Sequence, residues 1–260
     1  MYKDFLDFAL NMAKGVAGIQ LSYFRGDDLS IQTKSNVFDV VTRADKESED
    51  YIARAILERY PDHKILGEEG GYRGNEQSDY LWVVDPLDGT TNYSQGLPLF
   101  CTSIALQYRG ETIAGVVYAP YVNELFTATK GGGAYMQYGS GEPRRIHVSQ
   151  KQSLGPSVIA TGFPYDKDVN PDNNCDNLER IAPHVRDIRR MGTAAYDICC
   201  VASGLLDGYW ELSLNLWDVC AGNLILQEAG GTVFYFRENR GVSQIAGNET
   251  IVGEIRKYVK

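Results

Sequence analysis

The sequence has little of the side-chain chemistry that thiolate and imidazole sites use. Its five cysteines are scattered over 260 residues, and no two of them form a C-x-x-C pair or show metal-ligand spacing. The histidines are isolated as well, so we expect His63, His147 and His184 to have surface or core roles. We interpret the cysteines as reduced thiols of a cytoplasmic protein. They are Cys101, Cys175, Cys199, Cys200 and Cys220.

Long apolar runs and an excess of positive charge are also missing. No apolar stretch approaches the roughly 18 residues that span a membrane, and residues 1–5 lack the basic and apolar regions of a signal peptide. Acidic residues outnumber basic ones by 34 to 25, which gives a formal charge of -9. We therefore expect no membrane association and no direct nucleic-acid binding. An anionic substrate would then need a metal ion at its site.

Hydrophobic residues make up 43% of the sequence, which is enough to form a large core. Apolar periodicity predicts helices over 5–26 and 43–60 with a short hairpin between them, followed by a strand-rich middle. Strands and helices alternate after about residue 144. We therefore predict an N-terminal α+β half over residues 1–143 and a C-terminal α/β half over residues 144–260. No composition break or flexible linker separates the halves.

The segment W-V-V-D-P-L-D-G-T-T-N, residues 82–92, carries the strongest chemical signal. An apolar strand ends there in two carboxylates, Asp85 and Asp88, and the proline and glycine between and after them favour a tight turn. Both carboxylates and the Leu87 carbonyl can converge as hard oxygen ligands of the kind Mg²⁺ prefers. The backbone N–H groups of Gly89 and Thr90 would open toward a phosphate if a helix begins there. The alternative is that Asp88 merely caps that turn or helix.

Two further acidic positions have competing interpretations when each is taken alone. Glu68 and Glu69 end another apolar strand, where an acidic pair is most often a solvated turn. Asp218 begins an apolar helix, where helix capping is the usual role. A buried acidic pair is costly unless it is paired or bound to metal.

Together the segments G-E-E, D-P-L-D-G-T-T-N and W-D-x-x-A-G, in this order, resemble the inositol monophosphatase family of lithium-sensitive, metal-dependent phosphatases. The resemblance covers nearly the whole chain. It implies an α/β fold that is a layered α-β-α-β-α sandwich, with the α+β half packed on the α/β half and the site at their junction. It also implies a homodimer and Mg²⁺ as the cofactor.

The resemblance assigns roles residue by residue. The ligands of the two Mg²⁺ ions would be Glu68, Asp85, the Leu87 carbonyl, Asp88 and Asp218. Thr90, hydrogen-bonded to Asp45, would help to activate a metal-bound water, and Lys34 would assist from a mobile loop. Together with Glu68, these form the expected catalytic set. The expected substrate contacts are Asp88, Gly89, Thr90, Gly192, Ala194, Glu211 and Asp218.

The substrate implied first is an inositol monophosphate, because Glu211 suits a polyol ring with hydroxyl groups. Relatives that share this metal core use fructose 1,6-bisphosphate, histidinol phosphate or nucleotide 3'-phosphates, and the core motif does not choose among them. A different class of function is a binding role in a protein complex, since some bacterial relatives also act in RNA-polymerase complexes.

Overall fold

The computed structural model describes residues 2–26, 28–237 and 239–260. The helices within these ranges are α1 (Lys3–Tyr23), α2 (Arg43–Arg59), α3 (Thr90–Ser94), α4 (Cys175–Ile181), α5 (Ala194–Ala202), α6 (Leu216–Glu228) and α7 (Glu249–Ile255). The strands of the first half are β1 (Gln32–Thr33), β2 (Val40–Val41), β3 (Lys64–Gly67), β4 (Gly71–Gly74), β5 (Tyr80–Asp88), β6 (Cys101–Tyr108), β7 (Glu111–Ala119), β8 (Glu124–Thr129) and β9 (Gly133–Tyr138). The later strands are β10 (Arg144–Arg145), β11 (Val158–Thr161), β12 (Asp187–Arg189), β13 (Gly208–Leu214), β14 (Thr232–Arg237) and β15 (Val242–Gly247).

The larger sheet has the strand order β10-β9-β8-β7-β6-β5-β3-β4. Its neighbouring strands are antiparallel, except that β3 and β5 run parallel. The carboxyl ends of β3 and β5 therefore lie at the same edge of the sheet. This arrangement places the residues that follow the two strands close together.

Strand β5 is apolar from Leu81 to Val84 because this part of it is covered on both faces. Trp82 and Val84 pack against α1 and α2, whereas Val83 between them packs toward α5 and α6. Alternate side chains of a strand point to opposite faces, so a strand between two helical layers has no polar face. Burial on both faces explains why residues 81–84 of β5 form an uninterrupted apolar run.

The smaller sheet has the order β12-β11-β13-β15-β14. On β13, Tyr209 packs inward with α5 and α6, and Trp210 packs outward with residues of α4 and α7. Helices α5 and α6 thus lie between the two sheets, and the remaining helix pairs cover the outer faces. The layered α-β-α-β-α sandwich implied by the resemblance is confirmed.

Most predicted elements are confirmed, and the clearest omission is β15. This strand buries two polar residues, Ser243 and Gln244, so its sequence lacks the apolar pattern of an interior strand. The Gln244 amide exchanges hydrogen bonds of 2.8 and 3.0 Å with the Asn223 amide, which satisfies the buried groups. The strands β4, β9 and β10 also went unpredicted. The division between residues 143 and 144 stays a prediction.

His63 has the core role expected of it. Its ring stacks between Tyr60 and Tyr80, with centroid distances of 4.6 and 4.5 Å, and accepts a hydrogen bond from Trp82 Nε1.

Among the described helices, none combines the length and apolarity that crossing a bilayer requires.

Candidate active site

The end of β5 is irregular, and the irregularity turns two carboxylates to one side. Asp85 pairs with Ser103 and Asp88 pairs with Cys101, so three steps along β5 oppose two steps along β6. In a regular strand, residues three apart point to opposite faces, and the extra residue of a bulge cancels that inversion. Asp85 and Asp88 consequently line the same cleft. The Leu87 N–H donates to Asp85 Oδ1 at 3.0 Å, which holds the turn.

Two more carboxylates reach this cleft from other elements. Glu68 directly follows β3, and its N–H donates to the Val84 carbonyl of β5 at 3.2 Å. Asp218 lies in the first turn of α6, where its Oδ2 accepts from the Asn215 N–H at 2.7 Å. The capping interpretation of Asp218 is therefore correct, and the same residue also lines the cleft.

The four carboxylates repel one another in a poorly solvated place. Asp85 is only 2% exposed, and burial raises its pKa well above the usual range, reinforced by the charges of Glu68, Asp88 and Asp218. Burial and the charges of Glu68 and Asp88 also raise the pKa of Asp218. Ionising all four carboxylates together is therefore unfavourable, and a bound divalent cation would relieve their repulsion.

Asp88 does not cap the helix that follows it, so that alternative is wrong. The residue before α3 is Gly89, whose φ of 96° allows the sharp turn into Thr90, and no side chain caps this helix. Asp88 Oδ2 instead accepts from Thr193 Oγ1 at 2.6 Å and from the Ala195 N–H at 2.8 Å, at the start of α5. Burial raises the pKa of Asp88 to about 6 despite these hydrogen bonds. This carboxylate thus links the two halves.

Lys34 meets the acidic pair that follows β3. Its Nζ donates to Glu68 Oε1 at 2.7 Å and to Glu69 Oε1 at 2.5 Å, so the alternative interpretation of this pair as a solvated turn is wrong. Burial lowers the pKa of Lys34, but the two carboxylates outweigh it and raise the pKa overall. Lys34 is the cation that compensates this part of the cleft.

Glu49 supports the same turn and was missed from the sequence. It is a buried residue of α2, and its Oε2 accepts from the Glu69 N–H at 2.8 Å. A Cβ added at Gly67 or at Gly70 would lie 2.5 Å from the Glu49 carboxylate, so a side chain at either position would displace that carboxylate. The signal that could have identified Glu49 is its position, because it is an acidic residue on the apolar face of the helix predicted over 43–60.

Thr90 and Asp45 form the pair that the resemblance implies. Thr90 Oγ1 donates to Asp45 Oδ1 at 2.9 Å, and both side chains are buried. Asp45 Oδ2 accepts from the Thr42 N–H and hydroxyl, because the two residues form the capping box of α2. Burial raises the pKa of Asp45 to about 6, although the hydrogen bonds from Thr42 and Thr90 lower it.

The C-terminal half supplies the opposite wall, where Gly192, Ala194 and Glu211 all line the cleft. Their contact with a substrate stays a prediction. The Tyr209 hydroxyl donates a hydrogen bond to Glu211 Oε2 at 2.5 Å. Burial raises the pKa of Glu211 to about 7. A Cβ added at Gly162 would lie 2.1 Å from Glu211 Oε1, so the glutamate position depends on that glycine.

Two residues of this wall, Arg190 and Asp197, were not predicted from the sequence. Both line the cleft near Glu211. Asp197 is buried in the first turn of α5, and its sequence context resembles an ordinary helix start. Phe163, Pro164 and Tyr165 also line the cleft.

The donor set suits Mg²⁺, because it consists of carboxylates and one backbone carbonyl without thiolate or imidazole. As the side chains lie, the described residues hold no group of three His, Cys, Asp or Glu side chains placed to coordinate an ion. Two of these carboxylates already have partners in the protein, since Lys34 donates to Glu68 and Thr193 donates to Asp88.

The comparisons with known proteins agree over the length of the chain. The model of the inositol monophosphatase family matches residues 1–256. The Nus factor SuhB of Pasteurella multocida is 41% identical over 252 residues, covering 96% of this chain and 91% of that protein. The inositol-1-monophosphatase of Mesorhizobium japonicum is 39% identical, covering 94% and 92%.

The solved structures extend this agreement to the fold. An inositol monophosphatase from Anabaena (Nostoc) is 36% identical with a TM-score of 0.86, covering 98% of this chain and 95% of that one. The extragenic suppressor protein suhB of Bartonella henselae is 35% identical with a TM-score of 0.89, covering 99% and 98%. The chain belongs to the inositol monophosphatase family, whose members are phosphoric monoester hydrolases.

Proposed function

We propose that the protein is a Mg²⁺-dependent phosphatase of small sugar or cyclitol phosphate monoesters, with an inositol monophosphate as its first substrate. The observation that carries the proposal is the convergence of Glu68, Asp85, Asp88 and Asp218 on one cleft. Glu68, Asp85 and the Leu87 carbonyl would hold one ion, and Asp85, Asp88 and Asp218 would hold a second. When bound, the ions would neutralise the phosphate, lower the pKa of the attacking water and stabilise the leaving alkoxide.

Thr90 and Asp45 would handle the proton of that water. The Thr90 hydroxyl gives its hydrogen to the Asp45 carboxylate, so its lone pairs are available to accept from a water molecule in the cleft. Asp45 is held at both oxygens, which fixes the direction of the hydroxyl. Lys34 would balance the charge of Glu68 and Glu69 beside the phosphate.

The opposite wall would bind the leaving group. Glu211 offers a carboxylate to ring hydroxyl groups, and Tyr209 and Gly162 restrict where that carboxylate lies. The backbone at Gly192 and Ala194 would complete the contacts to the ring. We also propose a cytoplasmic homodimer that lithium inhibits, on the resemblance given above.

Phosphate release from a panel of substrates tests the proposal. The panel contains inositol 1-phosphate, fructose 1,6-bisphosphate, histidinol phosphate and a nucleotide 3'-phosphate, each measured with Mg²⁺ and then with EDTA. We expect magnesium-dependent release that is fastest with inositol 1-phosphate. A strong preference for another compound would reassign the substrate, and no release from any compound would refute the phosphatase proposal.

A second candidate is a role in a protein complex. It is supported by the 41% identity to the Pasteurella multocida protein named Nus factor SuhB. The two functions are separable, because a binding role needs the surface of the fold whereas hydrolysis needs the carboxylates of the cleft. A protein without phosphatase activity that still assembles with a partner would favour the second candidate.

Replacing Thr90 with valine should reduce kcat by roughly 10²-fold, within the range that a positioned proton-transfer group contributes. Valine keeps the shape of threonine but removes the hydrogen bond to Asp45. Thr90→Ser should retain most of the activity, and Thr127→Val, a similar change on β8, should have no effect. Steady-state kinetics with Mg²⁺ would measure all three. Equal activity of the valine and serine variants would show that the hydroxyl takes no part.

A further inference from the structure

The loop that carries Lys34, residues 34–39 between β1 and β2, has little packing of its own. Val37 at its tip is 77% exposed. Two contacts tie the loop to the C-terminal half across the cleft. Asn36 Nδ2 donates to the Tyr165 carbonyl at 3.2 Å, and Lys167 Nζ lies 4.1 Å from the centroid of the Phe38 ring. An ammonium at this distance over an aromatic face is attracted by the ring.

The partner segment, residues 163–173, is anchored to the body of its own half. Arg240 donates to Asp166 Oδ1 at 2.5 Å, and Arg237 forms an ion pair with Asp172. Asn173 Nδ2 donates to the Lys167 carbonyl at 2.9 Å. These contacts hold the backbone that carries Lys167 against the body of its own half.

Within the loop, internal hydrogen bonds would transmit that support to Lys34. The Phe38 N–H donates to Asn36 Oδ1 at 2.9 Å, and the Lys34 N–H donates to the Asp39 carbonyl at 2.8 Å. Ser35 Oγ donates to Asp39 Oδ2 at 2.8 Å. Because the loop closes on itself, holding Asn36 and Phe38 also holds the backbone of Lys34.

We propose that Lys167 and Asn36 are positioning residues that hold loop 34–39 across the cleft and keep the Lys34 ammonium on Glu68 and Glu69. Neither needs to touch the substrate. The consequence for catalysis rests on the proposed function, because it depends on Lys34 acting at the phosphate site. The clamp itself, the pair of contacts at Lys167 and Asn36, can be tested without any substrate.

The test is the rate at which acetic anhydride acetylates Lys34, followed by mass spectrometry of its peptide in the full-length protein without substrate. Lys167→Met keeps the length of the side chain but removes the cation. We expect Lys34 to react about two- to fivefold faster in this variant, the factor that an exposed cation–π contact supplies. Lys167→Arg keeps a cation over the ring and should restore the wild-type rate.

The matched control is Lys64→Met, which removes a similar contact, 4.2 Å from the Tyr72 ring, on another part of the surface. It should leave the rate at Lys34 unchanged. Asn36→Asp tests the other contact, since it keeps the acceptor for the Phe38 N–H but loses the donor to the Tyr165 carbonyl. It should also accelerate acetylation, and it serves as the test if Lys167→Met fails to fold.

An unchanged rate in the methionine and aspartate variants, or an arginine variant as reactive as the methionine variant, would overturn the clamp. With Mg²⁺ and substrate, kcat should fall in Lys167→Met and recover in Lys167→Arg. If the wild-type protein releases no phosphate from the panel, the proposed function fails while the acetylation result still decides the clamp.

Discussion

Asp85→Asn should reduce magnesium-dependent phosphate release by about 10³-fold or more, because it removes the carboxylate assigned to both ions and with it several kcal/mol of transition-state stabilisation. The fold should survive. Burial and three neighbouring carboxylates raise the pKa of Asp85, so keeping it ionised at neutral pH costs folding free energy. The midpoint of thermal unfolding in EDTA should therefore equal or exceed that of the wild type.

Asp79→Asn is the matched control for this prediction. Asp79 is an exposed residue that pairs with Arg109 on the surface, and such pairs contribute little. This control should keep full activity. Near-normal turnover by a well-folded Asp85→Asn protein would refute the two-ion assignment. A protein whose role is only to bind a partner would keep its function in both variants.

Magnesium should stabilise the protein strongly against unfolding. Binding to the folded state alone contributes about 2.7 kcal/mol per site when the free ion is 100-fold above Kd. In a chain of this size each kcal/mol raises Tm by roughly 2–4 °C, so we expect an increase of about 5–11 °C over the protein in EDTA for each site that is filled. The physical reason is that a divalent cation relieves the repulsion among the buried carboxylates.

Scanning calorimetry or circular dichroism in Mg²⁺ and in EDTA at matched ionic strength would measure this change. The double variant Asp85→Asn, Asp218→Asn should lose the increase, because it lacks two of the proposed ligands. An equal increase in the double variant would assign the effect to general salt stabilisation and remove the support for a magnesium site.

Local segments of the sequence predicted the chemistry of the cleft well. The apolar run of β5 and the D-P-L-D-G turn that ends it lie within about ten residues, where strand patterning and turn-forming residues act directly. The same holds for Asp218, whose place at the start of a helix was correctly predicted. Single acidic residues remained ambiguous, and it was their combination that indicated the family.

Contacts between distant residues were not predictable in this way. Capping of the following helix was the alternative interpretation of Asp88, yet the partners of its carboxylate, Thr193 and Ala195, lie more than 100 positions later in the chain. Glu49 supports the turn at Gly67 and Gly70 because α2 packs beside β3, and no local pattern indicates that contact. Buried polar groups take whatever partner the packing brings to them.

The sequence by itself therefore indicated most of the side chains that line the cleft and the strand ends, turns and helix starts that present them, because these features depend on neighbouring residues. The tertiary structure alone decided which of these side chains meet. The bulge in β5 turns Asp85 and Asp88 to one side, the parallel pairing of β3 with β5 brings Glu68 to the same edge, and the packing of the two halves adds Asp218 and Glu211. These juxtapositions depend on burying apolar surface across the whole chain, which no local segment specifies.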